Sequence, residues 1–157
     1  MWTKYCRMII SLPDVNIWIA LAAEGHVHHV LARDWFTAQP DASVASCWIT
    51  QMGLLRLLTN PKVMGRAPRT IVQAWETVAQ LRADRRSVFA TEADSVESHG
   101  ANSWHSLEWG RAPGRMPTWP LFPRRNSYSL VTLDTGFKRW PALKLTLLSS
   151  SQSLPGK

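Results

Sequence analysis

Two aspartates stand out because each directly follows an apolar run. Asp14 closes Met8-Ile9-Ile10-Ser11-Leu12-Pro13, and Asp134 closes Leu130-Val131-Thr132-Leu133. Carboxylates are hard oxygen donors of the kind that bind Mg²⁺, an ion that keeps several waters of its own. Asn16 brings a carboxamide that can hold the Asp14 carboxylate in place. Each aspartate also has a plainer role. Asp14 can cap a following helix, and Asp134 can sit in a turn that Gly136 makes easy. Taken singly, the plainer role is the stronger for both. Their shared position at strand ends is what raises the chemical one.

Other reactive residues are less organised. His26, His28 and His29 cluster, but no Cys or acidic residue completes a zinc set, so they fit an exposed helix start. Ser46 and Thr50 have no histidine paired with them by motif, which argues against a nucleophile. Arg82, Arg85 and Arg86 form a charge run of the sort that usually ends a solvated helix. With Arg124, Arg125, Lys138 and Arg139 they are also candidates for phosphate contact.

The elements that must position these residues follow from apolar spacing. Residues 8–13 predict a buried strand, 16–23 a helix ended by Glu24-Gly25, and 26–36 a second helix with Val27, Val30, Leu31, Trp35 and Phe36 inward. Residues 43–49 predict a strand, and Thr50 is placed to cap a helix over 51–58 that Thr59-Asn60-Pro61 stops. Pro68-Arg69-Thr70 opens another helix, with Ile71, Val72, Trp75, Val78, Ala79 and Leu81 as its expected core face. Residues 87–91 and 130–133 complete the strands. Strands alternating with helices predict an α/β layered fold with a parallel sheet, whose sites lie at the carboxyl ends of strands.

Composition bounds the rest. The chain has 157 residues, enough for one core, and a domain over 8–148 with tails at 1–7 and 149–157 is expected. Met8 is a second candidate start. A net charge of +7 favours a polyanionic partner, RNA or an acidic protein. Cys6 and Cys47 form no CxxC, which suits a reducing cytoplasm. No apolar run approaches the roughly 20 residues of a membrane span.

Residues 95–125 break the pattern. Pro113, Pro117, Pro120 and Pro123 exclude a normal helix there, and Trp104, Trp109 and Trp119 crowd the same stretch. A parallel sheet nevertheless needs a crossover before the strand at Leu130, usually a helix.

Three blocks together resemble a known family. Leu12-Pro13-Asp14-Val15-Asn16-Ile17-Trp18-Ile19-Ala20-Leu21, followed by His28-His29, is similar to the opening of VapC-type PIN-domain toxins. Thr50-Gln51-Met52-Gly53-Leu54-Leu55-Arg56-Leu57-Leu58-Thr59-Asn60-Pro61 resembles the TQxGFLRLxTNP signature of one mycobacterial-type branch, and is the most specific of the three. Leu130 to Phe137, with Trp140 and Leu143 behind it, resembles the last strand and final acidic turn. The blocks keep the family's order and distances and cover residues 8–92 and 124–148.

The resemblance implies a three-layer α/β/α sandwich around a parallel sheet of four or five strands. It implies a Mg²⁺- or Mn²⁺-dependent endoribonuclease, the toxin of a type II toxin–antitoxin system, inhibited by a cognate antitoxin and commonly dimeric. Asp14 matches the first acid, Asn16 its neighbour and Asp134 the last acid. Thr50 matches a supporting position, and Arg56, Arg124, Arg125 and Lys138 are candidate RNA contacts. Gly53 stands where many members carry a Glu, though this branch commonly lacks it.

The third family acid is missing. It belongs to a Thr-Asp-Ala-Tyr-Leu-like helix start in the region that is here proline-rich. Back-translating Arg115-Met116-Pro117-Thr118-Trp119-Pro120-Leu121 and starting at the third base of a G-ending Arg codon accommodates Asp-Ala-Tyr-Leu-Ala-Ala-Leu. A pair of compensating frameshifts within about 95–123 is therefore expected, with one crossover helix disrupted. Two alternatives to an active nuclease follow: a PIN-like protein that binds antitoxin or RNA without cutting, and the product of a damaged reading frame.

Overall fold

The computed structural model describes residues 10–90, 128–141 and 143–149. The tail 1–7, the segment 95–123, Arg124 and Arg125 lie outside the described residues.

Five strands form one parallel sheet in the order β3-β2-β1-β4-β5. They are β1 (Ile10–Pro13), β2 (Val44–Cys47), β3 (Ser87–Ala90), β4 (Tyr128–Thr132) and β5 (Leu145–Leu147). β1 is central. It pairs with β4 through Ile10–Tyr128 to Pro13–Val131, and with β2 through Ser11–Val44. The chain first builds away from β1 toward β3, then returns to lay β4 on β1's other side. A switch point therefore falls between β1 and β4, where parallel α/β sheets open a crevice beyond their strand ends.

Side-chain alternation gives the sheet two apolar faces. Val44 and Val131 point to the face covered by α1 (Val15–Ala22), α2 (His29–Thr37), α3 (Trp48–Leu58) and α5 (Ile71–Ala83). The core there includes Ile17, Trp18, Phe36, Leu54, Leu58 and Val78. Leu12, Ala45, Cys47 and Ala90 form a cluster on the opposite face, joined by Leu130 packed on Phe137 and Leu143. Burial on both faces is what a parallel sheet requires.

Three expectations change. The second strand ends at Cys47, two residues early, because Trp48 already belongs to α3. Thr50 therefore stands in the first turn, not at its cap: its hydroxyl accepts the Cys47 N–H at 3.0 Å and donates to the Cys47 carbonyl at 2.9 Å. Thr59-Asn60-Pro61 stops α3 but also starts α4 (Pro61–Met64), with the Asn60 side chain accepting the Lys62 N–H. Gly65 closes it in the left-handed region, at φ +60°.

The third change concerns inward faces. In α5 the buried residues are Ala74, Thr77 and Val78, while Ile71, Val72, Trp75 and Ala79 face outward. Small residues let α5 lie close to α3, and the larger apolar ones are displaced to the surface. The second helix starts at His29, not at residue 26, so Val27 lies in the turn before it and is exposed; within α2, Ala32 and Phe36 are buried and Val30 is exposed. Strand β5 was not legible in the apolar pattern, since its three residues pair on a sheet edge.

Candidate active site at the β1 and β4 strand ends

Asp14 follows β1 directly and caps α1, its Oδ1 accepting the Val15 N–H at 2.6 Å. The backbone N–H of Asp14 still belongs to the ladder, donating to the Val131 carbonyl at 2.7 Å. The carboxylate is thus fixed from both sides, by a strand behind and a helix ahead. It is 6% exposed. A buried charge needs hydrogen bonds, and Asp14 has them. Its Oδ2 accepts from Asn16 Nδ2 at 3.2 Å and from Thr132 Oγ1 at 3.1 Å. Of the two roles the sequence offered, capping is seen directly, and it leaves Oδ2 to Asn16 and Thr132.

Thr132 is fully buried at the end of β4. While its hydroxyl donates to Asp14, it accepts the backbone N–H of Asp134 at 3.0 Å. One hydroxyl therefore ties the first acid to the turn that carries the second. Asp134, half-buried, caps the short 3-10 helix Thr135–Arg139, its Oδ1 accepting the Gly136 N–H at 2.8 Å. A Cβ on Gly136 would lie 3.0 Å from that oxygen, so the turn is closed tightly by glycine. Sequence reasoning missed Thr132. Its signal was a hydroxyl in an otherwise aliphatic strand, two residues before an acid.

The structure brings Asp14, Asn16 and Asp134 to neighbouring strand ends at the switch point. Thr50 is at the next strand end: β2 pairs Val44 with Ser11, which sets Cys47 level with Asp14. Lys138 is exposed in the 3-10 helix after Asp134, and Arg56 is exposed two turns into α3. The charge run lies elsewhere. The carbonyls of Arg85 and Arg86 accept from Ala42 and Ser43 at the opposite, amino-terminal ends of β2 and β3. Arg85 pairs with Asp41 and Arg86 with Asp84, so these arginines serve that edge of the sheet.

Gly53 has a packing reason. A Cβ there would meet Val15 Cγ2 at 3.1 Å, so glycine lets α3 approach the start of α1 next to Asp14. Among the described residues no group of three or more His, Cys, Asp or Glu side chains converges. The histidines instead serve the turn between α1 and α2: His26 Nδ1 accepts the His28 N–H at 3.2 Å, and His29 Nδ1 lies 2.8 Å from the Ala20 carbonyl at the end of α1. Burial, with His28 and His29 nearby, lowers the His26 pKa below its usual value.

The fold, a five-stranded parallel sheet with its switch point between β1 and β4, is one that other proteins adopt. Solved structures share it: VapC20 of Mycobacterium tuberculosis, described as a sarcin-ricin-loop-cleaving toxin, matches 82% of this chain and 92% of its own at TM-score 0.59 and 14% identity. VapBC2 of Rickettsia felis, solved on a DNA fragment from its promoter, matches 90% of this chain and 100% of its own at TM-score 0.63 and 15% identity. A scan against protein-family models finds no match. Among curated proteins, Ribonuclease VapC41 of M. tuberculosis is 36% identical over 148 residues, covering 88% of this chain and 98% of the relative. Ribonuclease VapC38 of the same organism is 42% identical over 74 residues, covering 47% of this chain and 52% of the relative. The chain belongs to the VapC family of PIN-domain ribonucleases, the toxins of toxin–antitoxin pairs.

Proposed function

We propose that this chain is an endoribonuclease whose divalent-cation site is walled by Asp14 and Asp134, and that a cognate antitoxin holds it inactive in the cytoplasm. The observation that carries the reading is the junction at Thr132, which joins the Asp14 carboxylate to the backbone of the turn that carries Asp134. The donor set suits the ion: carboxylate oxygens at a strand end match Mg²⁺ or Mn²⁺, which take one or two carboxylates and fill the remaining positions with water. When bound, such a cation lowers the pKa of a coordinated water and offsets charge building on the attacked phosphate. The chain's own residues do the rest. Asn16 and Thr132 hold Asp14 in one orientation, and Gly136 holds Asp134. Lys138 and Arg56, with Arg124 and Arg125, supply positive charge for the RNA backbone.

Only Asp14 and Asp134 match acids of the family pattern among the described residues, which favours a second component of the reading: a slow chemical step. We place the absent third acid in the shifted frame within 95–123. If that shift is real, the protein retains antitoxin and RNA binding while cleavage is weak.

The test is cleavage of a structured RNA with Mg²⁺ or Mn²⁺, with and without a chelator, by this chain and by Asp14→Asn. Metal-dependent cleavage lost in the variant is expected. Equal rates for both chains overturn the enzymatic reading of this polypeptide. Antitoxin binding retained alongside such equality leaves the binding reading standing.

A further inference from the structure

The outer face of α3 carries a stripe that the core does not use. Trp48, Met52 and Arg56 follow one another at four-residue spacing, which sets them side by side along the helix, and all three are exposed. Trp48 is 53% exposed and Met52 43%. The inward face of the same helix holds Thr50, Gln51, Leu54, Leu55 and Leu58.

The stripe begins beside the candidate site. Trp48 opens α3 directly after Cys47, which lies level with Asp14 on the neighbouring strand. Gly53, three residues before Arg56, sits against Val15, the residue after Asp14. Charge on this part of the chain is one-sided. From Ala42 to Trp75 it carries Arg56, Lys62, Arg66 and Arg69 and no Asp or Glu. Lys62 and Arg66 are exposed beyond the far end of α3. An indole at the near end and cations at the far end suit an RNA strand, whose unpaired bases stack on aromatic planes while its phosphates seek positive charge. The lack of any acid in this stretch disfavours a basic partner.

We propose that Trp48 is a positioning residue for RNA: its indole stacks on an unpaired base next to the attacked phosphate, and Met52 and Arg56 carry the strand outward along α3. The proposal rests on the reading above that the chain acts on RNA. About 12 Å of helix separates Trp48 from Arg56, so the base contact and the phosphate contact fall on different nucleotides. Stacking is sequence-tolerant because every base has a flat face, so Trp48 sets where the strand lies and not which base it carries.

The test is fluorescence anisotropy of the full chain on a labelled, unstructured RNA oligonucleotide in chelator, where binding is read without metal-dependent cleavage. Trp48→Ala is expected to raise Kd about tenfold, and Trp48→Phe, which keeps an aromatic plane, to restore most of the affinity. Arg56→Ala is expected to lower the salt slope of binding by about one. With metal present, Trp48→Ala raises KM more than it lowers kcat. A Trp48→Ala chain that binds RNA as tightly as the wild type overturns the proposal, even where both cleave. So does a wild-type dimer that Trp48→Ala splits with no change in RNA affinity, since the indole then serves a second copy of the chain. Trp48-dependent binding by a chain that never cleaves supports the stacking contact and counts against the endoribonuclease reading instead.

Discussion

At the residue scale the chemistry turns on Asp14. Replacing it with Asn keeps the shape and removes the charge, and RNA cleavage is expected to fall by orders of magnitude, as when other members of a catalytic unit are removed. Thr132→Val is the sharper probe of the junction. It keeps the volume of a fully buried side chain but deletes the donor to Asp14 and the acceptor for the Asp134 N–H. The Asp14 carboxylate keeps its Val15 and Asn16 bonds, so the cost is that of two lost hydrogen bonds, about 1 kcal/mol each. Denaturant unfolding checks the stability loss, and the Mg²⁺ concentration for half-maximal cleavage is expected to rise with it. Asp14, Asn16 and Asp134 were legible as strand-end groups because the apolar runs before them are unbroken. Thr132 was not, because a strand threonine looks like any β-prone residue until the partner strand's acid is known to be opposite.

At the element scale two contacts decide how the helices stand around that site. Gly53 trades helix propensity for closeness to Val15. Alanine gains about 1 kcal/mol of propensity over glycine, but its Cβ presses on Val15 Cγ2. Gly53→Ala is therefore expected to be more stabilising in a Val15→Ala background than in the wild type, a coupling that a double-mutant cycle of unfolding free energies measures. The turn between α1 and α2 responds to acid. His26 Nδ1 accepts the His28 N–H only while the ring is neutral, and its pKa is lowered by burial, then by His28 and His29. A lowered histidine pKa gives stability that is present above its unfolded value of 6.5 and lost as pH falls through the lower folded value. Melting temperature should drop over that interval, and His26→Asn should flatten the drop. Of the inward face of α5, Val78 and Leu81 were legible and the rest was not, because apolar periodicity weighs large residues. Close packing against α3 selected Ala74 and Thr77 instead.

At the scale of the whole molecule, the parallel sheet was readable as an α/β alternation with acids at strand ends, while the strand order and its switch point were not. The five-strand count was not, since β5 contributes only Leu145–Leu147 at an edge. The third acid belongs to this scale too, because its loss would alter a whole crossover. Nucleotide sequencing across residues 95–125 is expected to show the Asp-Ala-Tyr-Leu-Ala-Ala-Leu heptad in the shifted frame. Restoring that frame should raise metal-dependent RNA cleavage by at least about a hundredfold over this chain. An unshifted gene that lacks the heptad removes the frameshift explanation.

The pairing of β4 against β1 also orders events in time. Asp14 is made well before Asp134, and 118 positions separate the two sides of the Thr132–Asp14 hydrogen bond. A nascent chain on the ribosome holds one wall of the site while the other is still unwritten. The contact must wait for a long-range closure, the slow kind of step in folding. On the proposed reading, the site of a growing chain stays incomplete until Asp134 has been made and β4 has paired with β1, which leaves an interval in which an inhibitor can be ready before the site exists.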